Sequence, residues 1–211
     1  MSGNGSREAI LNRIKRSTER IRKEQKEIPV SGGPIYHPLE EDLALSFQKN
    51  LERHNGVAVL CESTDDLKRE LQHLFCKKQW KSIHSLDPEL TVLLAKADIP
   101  STSSAEDFLN MEAGITQCEF LVAHLGSVMV SSRQASGRRM NVYPPVHIVV
   151  ANYSQLCPYM EDAMKAIQNK YGSDLPSLIT NITGPSRTAD IEKTLILGAH
   201  GPKEIYVFLR K

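Results

Sequence analysis

Thr183-Gly184-Pro185-Ser186-Arg187-Thr188-Ala189-Asp190 gathers a glycine, hydroxyls, a guanidinium and a carboxylate in one short segment. An apolar run from Leu178 to Ile182 precedes it and a helical pattern from Ile191 to Leu197 follows, so the segment reads as a turn entering a helix. The first N–H groups of a helix have no internal partner and its dipole favours negative charge; such a turn can hold a carboxylate or phosphate. Gly184 allows close backbone approach, and Arg187 offers a forked donor. The same residues can also serve folding alone. Ser186 or Thr188 then caps the helix, Asp190 complements the dipole in the first turn, and Gly198 closes it.

Other residues offer different chemistry. His124, beside Gly126 at an expected strand end, could exchange protons near neutral pH or be hydrogen-bonded within a hairpin. Glu119 is a nearby carboxylate, though alternation puts it and His124 on opposite faces of a regular strand. His147 sits between Val146 and Ile148 in an apolar run, where a satisfied core histidine and a ligand-binding one read alike. Arg138 and Arg139, adjacent on a polar, glycine-containing stretch, could clamp a carboxylate or phosphate or simply be solvated.

The 4 cysteines, Cys61, Cys76, Cys118 and Cys157, are widely dispersed. None forms a Cys-x-x-Cys pair or a Cys–His pair at metal-site spacing, so neither an iron–sulfur cluster nor a structural zinc is expected. No cofactor of the chain's own is expected either. With 211 residues, 24% of them charged and a net charge of +1, the chain can bury one core and shows no strong field toward nucleic acid or acidic lipid. The N-terminus is polar, without a secretory apolar core, and no apolar run approaches membrane-spanning length. A cytoplasmic protein is expected.

These residues need elements to position them. Ile10, Leu11, Ile14 and Ile21 fall at helical spacing within a charged segment, giving an N-terminal helical arm over residues 1–28. Residues 29–38, with Ser31-Gly32-Gly33-Pro34, read as a linker, and 39–211 as the main domain. Pro38 opens a helix carrying Leu39, Leu43, Phe47 and Leu51, followed by a strand from Val57 to Cys61. Thr64-Asp65-Asp66 caps the next helix, Trp80 to His84 reads as a strand, and Asp87-Pro88-Glu89 starts a helix through about Lys96. Strands turning near Leu125-Gly126, a buried strand from Val146 to Ala151 and a helix from Ser154 to Tyr171 follow. The runs on either side of Ile191–Leu197 suggest parallel strands, a βαβ unit. In that unit the helix carries the chain back, which sends His200-Gly201-Pro202 to the opposite end of the sheet from Gly184, as a turn or subunit contact.

Asn-Ile-Thr-Gly-Pro-Ser-Arg-Thr-Ala-Asp-Ile-Glu from Asn181 onward, followed by Gly-Ala-His-Gly-Pro from Gly198, resembles the signature of the lactate-utilisation protein C family (LutC/YkgG-type, LUD domain). The central segment resembles it again: Gly114-Ile115-Thr116, Ser131-Ser132, the loop with Arg138 and the block from Pro144 to Val150. One turn departs, because His124 stands where the family is expected to carry glutamate. The CoA-transferases of this broad fold use a catalytic glutamate, and the substitution weakens a carboxylate-nucleophile mechanism at that turn.

The resemblance implies an α/β fold of the NagB/RpiA/CoA-transferase-like kind. Together with the alternating elements, the expectation is a three-layer α/β/α sandwich around a mostly parallel sheet, with the N-terminal helical arm added. It also implies a non-redox accessory role beside iron–sulfur cluster-containing subunits that oxidise L-lactate to pyruvate. A stand-alone binder, transferase or hydrolase acting on an anionic metabolite such as a CoA ester or sugar phosphate is the competing reading. The candidate ligand-binding set is Gly184, Ser186, Arg187, Thr188, Asp190, Ser131, Ser132 and Arg138; His124 and Glu119 are the catalytic candidates. Neither a nucleic-acid nor a membrane partner is expected, and homo-oligomerisation stays open.

Overall fold

A computed structural model of the chain describes residues 4–24, 39, 42–188 and 196–211. The chain divides into two compact units, Met1–Pro38 and Leu39–Lys211. In the first, helix α1 (Asn4–Glu24) presents Ile10, Leu11 and Ile14 as exposed side chains among many charges. The linker expected over 29–38 lies outside the described residues.

In the second unit, helix α2 (Leu43–Arg53) starts where the Asp42 carboxylate accepts the backbone N–H of Ala44 at 2.8 Å and of Leu45 at 3.3 Å. Strand β1 (Val57–Cys61) leads to α3 (Thr64–Lys78), whose cap is Ser63 rather than Thr64. Strand β2 (Ile83–Ser85) and helix α4 (Pro88–Lys96) follow, the latter capped by Asp87 with proline in its first turn. The short elements β3 (Ser101–Thr102) and α5 (Ala105–Asn110) then precede β4 (Ala113–Gln117). Next come the hairpin β5 (Phe120–Val122) and β6 (Ser127–Ser131), then β7 (Val146–Asn152). The segment expected to be helical from Ser154 begins instead with a 3-10 turn and β8 (Leu156–Cys157), and α6 (Met160–Tyr171) starts only at Met160. The chain ends with β9 (Ile179–Ile182), β10 (Arg187–Thr188), β11 (Ile196–Leu197) and β12 (Glu204–Arg210).

Six strands form an all-parallel sheet in the order β1-β12-β7-β4-β2-β3. Such sheets are buried on both faces, which is why Val146 to Ala151 is apolar at every position but His147. On one face Ile115, Ile148 and Phe208 pack with Leu67 and Leu71 of α3 and Leu90 and Leu94 of α4. On the other, Val149, Val207 and Leu209 pack with Phe47 and Leu51 of α2 and with Leu121, Val128 and Val130 of the hairpin. The alternate hairpin residues Val122 and Met129 point away from that core and pack with Ala163 and Ile167 of α6. The fold is therefore α/β, with helices flanking a parallel sheet. A second, four-stranded sheet in the order β8-β5-β6-β9 shares one flank with α2 and lies beneath α6.

The expected βαβ unit at the C-terminus does not form. Strand β9 pairs antiparallel with β6, whereas β12 lies between β1 and β7 in the parallel sheet. Ile179-Thr180-Asn181-Ile182 is polar at half its positions and leaves Asn181 exposed, which suits the edge of a half-buried antiparallel sheet better than a parallel core. Arg187 and Thr188, expected at a helix start, pair instead with Leu197 and Ile196 in an antiparallel ladder. Most of the expected helix, including Asp190 and Ile191, lies outside the described residues.

Candidate functional site

The residues with chemistry fall into distinct groups. The first surrounds Glu119, which directly precedes β5 and whose side chain is fully buried. Its carboxylate accepts the Ser131 hydroxyl at 2.6 Å, the Tyr171 hydroxyl at 2.7 Å and the Lys170 ammonium at 2.7 Å. Burial pushes the Glu119 pKa up, but the hydrogen bonds from Lys170, Ser131 and Tyr171, with the Lys170 charge, outweigh it and hold it below the ordinary value. A buried carboxylate whose two oxygens already take three donors is suited to fixing β5, β6 and α6 to one another.

His124 lies in the turn that follows β5. Its backbone N–H donates to Pro158 at 3.0 Å, and its ring lies 5.4 Å from that of Tyr159. The Asn50 side-chain amide of α2 donates to the carbonyls of Ala123 at 2.9 Å and His124 at 3.2 Å, so α2 sets the position of this turn. Gly126 makes the approach possible, since a Cβ there would stand 2.1 Å from the Leu51 backbone nitrogen.

Ser132 and Arg138 meet through a third residue that sequence reasoning missed. The hydroxyls of Ser132 and Ser177 are 3.1 Å apart, and the Arg138 guanidinium donates to Ser177 Oγ at 2.5 Å. Ser131 and Ser132 thus face in two directions, one toward the buried Glu119 and one toward the surface serine and arginine. Ser177 lies in a stretch to which the sequence assigned no element.

Arg138 also lines a cavity of about 360 Å³ with Arg139, His84, Phe108 and Ser136. The cavity sits beyond the carboxyl ends of β2 and β3, which stop while β4 and β7 continue. This is where open α/β sheets place ligands. His84 is 1% exposed, and its Nδ1 lies 3.0 Å from the Thr102 hydroxyl. Its Nε2 is buried without a hydrogen-bond partner. Burial lowers the His84 pKa, with Asp107 opposing, so the ring is neutral near pH 7. The Arg139 guanidinium stacks 4.1 Å from the Phe108 ring centroid and 5.1 Å from that of Tyr143. Of this cavity the sequence singled out only Arg138 and Arg139. The missing signal was a histidine at a strand end just before a helix start at Asp87-Pro88, a position that faces the carboxyl edge of a sheet.

The signature turn forms another group. Gly184 adopts φ +81, and a Cβ on it would meet the His54 carbonyl oxygen at 2.4 Å. The backbone N–H of Ser186 donates to Pro202 at 2.8 Å, and that of Gly198 donates to Ser186 at 2.9 Å. The Gly184–Thr188 and His200–Pro202 segments, expected at opposite ends of the sheet, are therefore bonded to each other. The expectation failed because it rested on a helix returning along a parallel pair, and β9 is not in the parallel sheet. Arg187 is exposed. His200 and Gly201 line a second cavity of about 380 Å³ with Val142 and Tyr143, the latter being the residue stacked on Arg139.

His147 is fully buried, its Nε2 2.8 Å from the Thr116 hydroxyl and its Nδ1 without a partner. Burial lowers its pKa to about 4. Among the described residues no group of three or more His, Cys, Asp or Glu side chains could hold a metal ion.

Comparison with known proteins places this arrangement. The family model of the LUD domain matches residues 45–209. A lactate utilization protein C of Bacillus licheniformis is 37% identical over 97 residues, covering 44% of this chain and 40% of the relative. That of Bacillus subtilis is 37% identical over 99 residues, covering 46% and 41%. That of Anoxybacillus flavithermus is 31% identical over 127 residues, covering 57% and 56%. The chain thus matches between about two fifths and just over half of the length of these relatives. The crystal structure of a DUF162 family protein from Deinococcus radiodurans superposes with a TM-score of 0.59 at 15% identity, over 82% of this chain and 100% of that one, a likeness of fold. By the extent of the domain match, the chain belongs to the LUD domain family.

Proposed function

We propose that this chain acts in lactate utilisation as a non-redox accessory subunit of an iron–sulfur-containing system that oxidises L-lactate to pyruvate, working in the cytoplasm beside cluster-bearing subunits. The likeness to proteins named lactate utilization protein C carries the reading. The cysteines support the non-redox part. Cluster ligands are close-spaced thiolates, whereas Cys61, Cys118 and Cys157 are each buried and dispersed along the chain. Burial raises all three thiol pKa values, that of Cys61 to about 11. Lactate oxidation releases electrons that need an acceptor, and in this reading the partner subunits supply it. No helix among the described residues is long and apolar enough to cross a membrane. The exposed Ile10, Leu11 and Ile14 of α1 make that helix the proposed docking element.

Co-expression with cysteine-rich subunits tests the reading. The tagged chain should bring those subunits down, turn over no lactate by itself with a simple electron acceptor, and support turnover when they are present. Full turnover by the isolated chain would overturn the accessory role. Complex formation that survives deletion of residues 1–28 would remove α1 from the docking surface and leave the rest standing.

A further inference from the structure

We infer that the cavity between the β2–β3 edge and the Ser136–Arg139 loop is a binding site for a small organic monocarboxylate with a compact apolar body. It is independent of the proposed role in lactate oxidation, because its support lies wholly in side chains of this chain.

Three observations converge. At about 360 Å³ the cavity falls in the range of small-molecule sites, roughly 300–1,000 Å³. Its lining contains Arg138 and Arg139 but no aspartate or glutamate, and neither arginine has a carboxylate partner among the described residues. Asp107, the acid whose charge acts on His84, accepts the Ser104 hydroxyl at 2.6 Å. Finally, His84 lines the cavity while buried and leaves Nε2 without a partner, and an orphaned buried nitrogen of this kind calls for a bonding group.

The chemistry selects the ligand class. Arg139 is held against the rings of Phe108 and Tyr143, so Arg138 is the arginine whose fork can turn from Ser177 to a ligand. One such fork matches one carboxylate. When Nδ1 of neutral His84 accepts the Thr102 hydroxyl, Nε2 carries the proton, and a small shift of the cavity wall that uncovers this buried atom lets it donate to the ligand. Inorganic phosphate has no apolar part to set against the rest of the wall, so a carboxylate that carries one gains contacts that phosphate lacks. Leu86, Ala105, Phe108 and Ala135 give the remaining wall its apolar character and favour an apolar body over a sugar.

The test titrates the full chain with benzoate, hexanoate and inorganic phosphate, by calorimetry and by ¹⁵N NMR of the histidine rings. Benzoate or hexanoate should bind more tightly than phosphate and shift the His84 Nε2 resonance. Arg138→Ala, at an exposed position that leaves the core intact, should weaken carboxylate binding about tenfold to a hundredfold. Ser177→Ala, which frees the Arg138 fork, should leave binding unchanged or tighten it. Absence of carboxylate binding, binding unaffected by Arg138→Ala, tighter binding of phosphate, or an unmoved His84 resonance would each overturn the proposal.

Discussion

Ser186 donates its backbone N–H to the carbonyl oxygen of Pro202 across 2.8 Å, joining two signature segments that are separate in the sequence. Ser186 returns a carbonyl to the N–H of Gly198, and Gly201 lies so close that a Cβ on it would stand 3.1 Å from that of Ser186. The signature is thus a packed double turn. Backbone approach and a positive φ require Gly184, whatever ligand the surface beside it takes.

Gly184→Ala should destabilise the fold by at least about 2 kcal/mol, since it combines a left-handed φ of +81 with a Cβ 2.4 Å from the His54 backbone oxygen. Gly137→Ala, also at positive φ but with nothing within 4 Å, should cost less, close to the backbone strain itself. Urea unfolding of both variants measures the difference. Equal costs would mean that the His54 contact contributes nothing.

What the sequence made legible follows the range of the interactions involved. The caps at Asp87 and the stripe of Leu67, Leu71 and Leu74 are local, so α3 and α4 could be read from a few residues. The parallel strand from Val146 was legible because burial on both faces leaves a run that is apolar apart from His147. Partner choice was not. Whether Ile179–Ile182 joins the large sheet or the small one is decided by β6, far away in sequence. The cavity was half legible for a related reason. Arg138 and Arg139 announce themselves by charge, but Phe108 lies in a helix of 6 residues following a strand of 2, too short for either periodicity to register. His84 becomes notable only once β2 is seen to end beside that loop.

The Glu119 group should govern stability in acid. Its folded pKa is depressed, so its contribution is fully present above the unfolded carboxylate value and is lost as pH falls through the folded one. Glu119→Gln should cost about 1–3 kcal/mol at neutral pH, and Tyr171→Phe about 1 kcal/mol, because Ser131 and Lys170 remain bonded in the second variant. Unfolding midpoints at pH 7 and below pH 4 check both. A Glu119→Gln protein as stable as the parent at pH 7 would show the ion pair between buried Glu119 and half-exposed Lys170 to be neutral for folding.

Thiol accessibility gives a direct reading of the cysteine arrangement. Cys76 is exposed while Cys61, Cys118 and Cys157 are buried, the last three with pKa values raised by burial. A thiol-exchange reagent at pH 7.5 should therefore label one fast site in the native protein and all 4 cysteines after denaturation. Cys76→Ser should abolish the fast phase. Rapid native labelling of any other cysteine would show a thiolate where the fold provides a buried thiol, and would weaken the non-redox reading with it.

His147 sets a second, higher pH window. In the unfolded chain its ring takes up a proton below about 6.5, whereas burial delays protonation in the folded state to about 4. Between those values the unfolded state binds more protons, so stability is fully present above about pH 6.5 and declines as pH falls toward 4, by about 3 kcal/mol in all. His84, whose pKa burial also depresses, adds to the slope with the same sign. Replacing His147 with glutamine removes the titrating ring while keeping a group able to bond Thr116. The variant should thus show a shallower decline between pH 6.5 and 4, keeping the share due to His84. Urea unfolding at half-unit pH steps gives the two curves. Parallel curves through this window would mean that His147 gains its proton without unfolding the chain, and that its orphaned Nδ1 reaches an acceptor when charged.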